Sequence, residues 1–218
     1  MKYLLKLKPF FILFILMYFI DNSTAQDVTY KPIKLYMKSN SSFYRPDFFD
    51  PTLKSSADSA LILACKVLNS QEFIDSFSKC NFSFKNYIKT SNTKCKSKFD
   101  VIAQKEIFDK IFLSKKDSIT LLLINSGGCN DGSMGMSQEN IYKITSYYRT
   151  IECDDDTLSF AYKYAYHICH EYMHIVGFYH FQSPKKRDLE NDIAEKAGWL
   201  AYNILKRWQK EGIIIKGL

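Results

Sequence analysis

The chain has 218 residues, 46% of them hydrophobic and 16% aromatic, which suits one domain with a proper core and leaves little room for a second. Its formal charge of +7 is diffuse, with no dense Lys/Arg stripe interleaved with aromatics, so nucleic-acid binding has little support. No segment reaches the roughly 20 consecutive apolar residues that a membrane-spanning helix needs.

The first residues, MKYLLKLKPFFILFILMYFIDNSTAQ, place Lys2, Lys6 and Lys8 before an apolar run from Phe10 to Ile20 and then the small residues Ser23, Thr24 and Ala25. That order reads as a secretory signal peptide cleaved after Ala25. Cleavage leaves residues 26–218 as a single domain and, by removing three lysines and Asp21, lowers the formal charge from +7 to +5. The mature part holds all six cysteines, Cys65, Cys80, Cys95, Cys129, Cys153 and Cys169. In an exported chain these suggest up to three disulfides of undetermined connectivity, and with no Cys-x-x-Cys pair they do not suggest a thiolate metal knuckle.

From Gln26 to about Lys54 the sequence is polar and broken by Pro32, Pro46 and Pro51, as expected of an extended arm or an opening strand with loops. From Ser56 the residues Ala57, Leu61, Ala64, Cys65 and Leu68 recur at helical spacing. A second helix is expected from about Asp100 to Phe112, with Ile107, Phe108, Ile111 and Phe112 on one side. The run SITLLLIN, Ser118 to Asn125, is short and apolar and reads as a buried strand. It leads into a glycine-rich loop, Ser126 to Met136, and then into Ile141 to Ile151, whose β-branched and aromatic residues predict another strand, at a sheet edge.

Asp154, Asp155 and Asp156 offer an N-cap for a following helix. In it Leu158, Ala161, Ala165, Ile168, Tyr172 and Ile175 form one apolar stripe. A last helix is expected from about Asp188 to Gln209, with Leu189, Ile193, Ala197, Leu200, Ile204 and Trp208 on one face.

HEYMHIVGFYH, His170 to His180, holds three of the four histidines in the chain. On a helix His170 and His174 are one turn apart and can reach one ion. Ile168 lies about 200° round from His170, so the helix has a core face and a metal face. A catalytic zinc takes three protein ligands and one open position. Gly177 suits a left-handed turn that ends the helix and lets the chain fold back to present His180 as the third ligand. His167 is on the same face, but about 10.5 Å of helical rise separates it from His174, which makes it cleft lining, a neighbour of the ligands, or core. Glu171, beside His170, suits the general base that takes a proton from a metal-acidified water and passes it to a leaving amine.

At every fixed position this stretch resembles the H-E-x-x-H-x-x-G-x-x-H signature of the metzincin zinc metallopeptidases. The resemblance implies zinc ligation by His170, His174 and His180, base and acid work by Glu171, and a helix-ending turn at Gly177. It also implies an α+β fold, with a small twisted sheet packed on the active-site helix and a C-terminal helix after it. The strand and glycine-rich loop before the helix resemble the family's sheet edge, along which an extended peptide substrate lies. Metzincins also carry a methionine turn downstream of the third histidine, whereas the last methionine here is Met173. Either another apolar residue, such as one within Ala194 to Tyr202, floors the site, or the chain is a divergent branch.

The expected function is that of a secreted zinc endopeptidase acting on protein or peptide substrates, without a stable membrane anchor. Two alternatives stay open. A downstream glutamate, Glu190 or Glu195, could replace His180 as ligand in a gluzincin-type arrangement, or the chain could be an exported, disulfide-braced binding protein whose zinc is structural.

Overall fold

In the computed structural model, the apolar run from Ser118 is the middle of a mixed sheet. The structure describes residues 31–45, 48–49, 51–82, 101–113, 117–125, 128–129, 133–138, 141–154, 157–178, 180 and 192–213. Outside them lie the expected signal segment, Cys95, Gly127, Asp155, Asp156, Leu189 and Glu190. The elements in chain order are β1 (Tyr36–Met37), β2 (Ser42–Arg45), β3 (Phe48–Phe49), α1 (Pro51–Leu68), α2 (Gln71–Ser78), α3 (Gln104–Phe112), β4 (Ser118–Ile124), β5 (Gly135–Gln138), β6 (Ile141–Tyr147), α4 (Tyr148–Cys153), α5 (Phe160–Ile175) and α6 (Ile193–Lys210). Pro32–Leu218 forms one compact unit. Among the described residues no helix is long and apolar enough to cross a membrane.

The sheet runs β3-β2-β4-β6-β5, with β1 also pairing with β4. Strands β2, β4 and β6 are parallel, while β3 and β5 run antiparallel at the two edges. Ile119, Leu121 and Leu123 of β4 face the core together with Ile144 of β6, as period-2 alternation requires. The chain is thus mixed α and β with a small open sheet.

Several expectations need correction. The strand expected over Ile141–Ile151 stops at Tyr147, and its last residues form α4. In that helix Tyr148 and Ile151 are buried three residues apart, a spacing that a strand would split between two faces. This strand is not the edge, because β5, which begins at the end of the expected glycine-rich loop, pairs outside it. Helix α1 starts at Pro51 rather than near Ser56, since a first-turn proline lacks only an N–H that a helix start cannot use. Helix α5 starts at Phe160 behind Ser159, not behind the aspartates, and α6 starts at Ile193 behind Asp192. Helix α2, capped by Ser70, was not expected; it buries Phe73 and Phe77 in an aromatic cluster with Phe82 and Phe108.

Helix α5 is the hub. It contacts α1 and α6 and strands β5 and β6, and it is buried nearly all round. Of the expected disulfides, Cys129–Cys153 joins the segment after β4 to the end of α4. Cys65 and Cys169 are thiols, and burial raises the pKa of both.

Candidate metal centre

Helix α5 presents His170 and His174 and then stops in a way that fixes both the second and the third histidine. Gly177 has φ 107°, a conformation that glycine adopts freely and other residues do not. The Phe178 amide donates to the Met173 carbonyl at 2.9 Å and the Gly177 amide to the His174 carbonyl at 3.1 Å. This pair of bonds is the Schellman closure of a helix C-terminus. It swings the Phe178 carbonyl back over the last turn, where it lies 2.6 Å from Nδ1 of His174. A carbonyl can only accept, so Nδ1 carries the proton and Nε2 keeps its lone pair.

His180 is fixed by the same logic. Its Nδ1 lies 2.7 Å from Oδ2 of Asp192, which is buried at 4% exposure, and Nε2 is left as the ligating nitrogen. The rings of His170, His174 and His180 have centroids 4.6 to 5.1 Å apart. One nitrogen from each lies within 4.8 Å of the other two. Ligands about 2.0 to 2.1 Å from a tetrahedral ion stand roughly 3.3 Å apart, so side-chain adjustments of under about 1 Å bring all three to one metal. The donor set fits a divalent cation that accepts imidazole nitrogen.

Helix α6 supplies the surroundings. The carboxylate of Glu195 lies 3.8 Å from Nδ1 of His170 through one oxygen and 3.8 Å from Nε2 of His180 through the other. These distances exceed hydrogen bonds, but the negative charge favours a cation between the rings. Gly198 faces His170 so closely that a Cβ there would stand 3.2 Å from the histidine Cβ and 3.4 Å from its Nδ1. Within the stretch named as a floor for the site, Ala194 to Tyr202, it is Gly198 that packs against His170.

Glu171 is buried at 3% exposure, and its carboxylate is turned toward the sheet. The Ser137 hydroxyl, on edge strand β5, lies 2.7 Å from Oε2 and 2.8 Å from the Glu171 carbonyl. Nδ1 of His167 is 3.8 Å from Oε1. His167 lies outside the triad. Its Nε2 is 3.1 Å from Oγ of Ser146, which is also 3.4 Å from the Tyr164 hydroxyl. Burial first, then the nearby charge of His174, lowers the pKa of His167 to about 3 and keeps the ring neutral. Gly135 makes room for this ring, since a Cβ there would overlap the Thr145 carbonyl and stand 2.8 Å from His167 Nε2.

The structure therefore brings together His170, His174 and His180 and holds Glu171 against Ser137 and His167. Glu190 is outside the described residues. Of the tyrosines near the motif, Tyr172 donates to the Ile111 carbonyl at 2.9 Å and Tyr166 packs on Tyr202, while Tyr179 is outside the described residues. Sequence reasoning missed Asp192, Ser137 and Gly198. Asp192 followed by Glu195 three residues later is a helix-start signature, and a lone glycine inside a helical pattern signals close packing, so two of the three left a trace. Ser137 left none. Compared with protein-family models, curated proteins and solved structures, this chain matches none.

Proposed function

We propose that this chain is a secreted, zinc-dependent endopeptidase of metzincin type, with His170, His174 and His180 as metal ligands and Glu171 as general base. The observation that carries the reading is the convergence of three imidazoles, two of which have their Nδ1 atoms engaged by acceptors. A bound zinc would supply the Lewis acidity that polarises a peptide carbonyl and acidifies a water.

The chain's own residues do the rest. Glu171 takes the proton from the attacking water and passes it to the leaving nitrogen. Ser137 holds Oε2 and so fixes the orientation of the carboxylate. A neutral His167 beside Oε1 places no competing positive charge there. Strand β5 pairs on one side only within the described sheet, so its other edge can take an extended peptide as an added strand.

The test is a peptide-cleavage assay on zinc-loaded protein with the Glu171→Gln variant, which keeps shape and removes basicity. Cleavage should fall at least 10²-fold with the zinc content unchanged. Equal cleavage by the variant would refute the base assignment, and no cleavage of any peptide by the zinc-loaded wild type would favour a structural zinc site. The position of Glu195, 3.8 Å from the ligating nitrogen of His180, supports a second reading in which this carboxylate completes the ligand set.

A further inference from the structure

The C-terminal helix meets the metal triad at two points that are independent of each other. The first is Asp192, which uses both carboxylate oxygens. Oδ2 lies 2.7 Å from Nδ1 of His180, twelve residues earlier in the chain. Oδ1 accepts the Glu195 amide at 3.0 Å, which makes Asp192 the N-cap of α6. One buried carboxylate thus orients the third ligand and starts the helix. The second point is Gly198, whose bare Cα lets α6 approach within contact of His170. Ala194, Ala197 and Ala201 are buried with it, so small residues recur at spacings of three and four among the larger buried side chains of α6, as a close approach to α5 needs.

We propose that Asp192 is a positioning residue for the metal and that it couples metal binding to the docking of α6. This rests on the metal-site reading above. The physical link runs through the imidazole of His180. A cation on Nε2 draws electron density from the ring and makes the Nδ1 proton a stronger donor to Asp192. A more firmly held Asp192 is a more firmly held N-cap. Binding free energies are reciprocal, so whatever the docked helix adds to metal affinity the metal adds to the docked helix. Helix α6 thereby does for this site what a methionine floor does elsewhere, and it also reports whether metal is present.

The experiment uses the full chain, with and without zinc, in the wild type, Asp192→Asn, Asp192→Ser and His180→Ala. Asparagine offers one neutral acceptor oxygen in place of two charged ones. Serine keeps a good helix cap but is too short to serve His180 as well. Zinc affinity is measured by competition with a chromophoric chelator, and amide hydrogen exchange is followed over residues 193–201. Both Asp192 variants should bind zinc about 10- to 100-fold more weakly. Zinc should slow exchange in the first turns of α6 in the wild type, and this slowing should vanish at matched zinc occupancy in the serine variant, whose cap is intact. Wild-type zinc affinity in both variants, or zinc-saturated wild type with unchanged exchange in α6, would overturn the proposal while leaving the triad standing. A wild type that takes no zinc would instead remove the metal site, and a His180→Ala protein that binds it as tightly would remove His180 from the ligand set; either result takes the inference with it.

Discussion

His167 shows how a single buried side chain sets the conditions under which this fold is stable. The ring is closed in by Gly135, Ser146 and Tyr164, with Glu171 at one nitrogen, and it folds as a neutral group. Its pKa of about 3 in the folded chain lies below the ordinary value of 6.5. The unfolded chain therefore binds the proton first, and stability is complete above about pH 6.5 and declines as the pH falls toward about 3. While only the unfolded state is protonated, the loss is about 1.4 kcal/mol per pH unit for this one group. Urea unfolding of zinc-free protein between pH 7 and 5 should show a shallower decline for His167→Gln than for wild type. Parallel curves for the two proteins would mean that His167 does not carry this dependence.

Helix α5 depends on where it ends. The Schellman closure at Gly177 turns the chain toward His180 and also supplies the carbonyl that holds His174. An alanine at φ 107° is strained, so Gly177→Ala should cost about 1 to 2 kcal/mol in a thermal or urea melt and weaken zinc binding as well. A melt within about 0.5 kcal/mol of wild type would show that the turn tolerates a side chain. This turn was legible in the sequence because Gly177 had a defined task between two histidines. Helices α5 and α6 and strand β4 were legible through their apolar periods. Strand β5 was not, because its four residues alternate only weakly at a sheet edge and sit among glycines. Helix α4 was misread because Tyr148, Thr150 and Ile151 favour strands, and the decision came from tertiary contacts: all three are buried in α4, and Lys163 Nζ holds the carbonyl of Glu152 at 2.5 Å and that of Asp154 at 2.6 Å. The convergence of His170, His174 and His180 was legible from their spacing. Asp192 was legible only as a helix start and Ser137 not at all, because they reach the site from the start of another helix and from the strand across from α5.

At the scale of the whole molecule, the triad sits where α5 is held between the sheet and α6, so metal occupancy and global stability are linked. A cation that binds only the folded chain stabilises it by an amount set by its concentration relative to Kd, about 2.7 kcal/mol at a hundredfold excess over Kd. The central claim is the three-histidine metal site, and its most direct test is the zinc-to-protein ratio of the purified wild type beside the His180→Ala variant. The account predicts a ratio near one for the wild type and a collapse in the variant. A ratio near zero in folded wild type would contradict it, and zinc fully retained without His180 would transfer the third ligand position to Glu190 or Glu195.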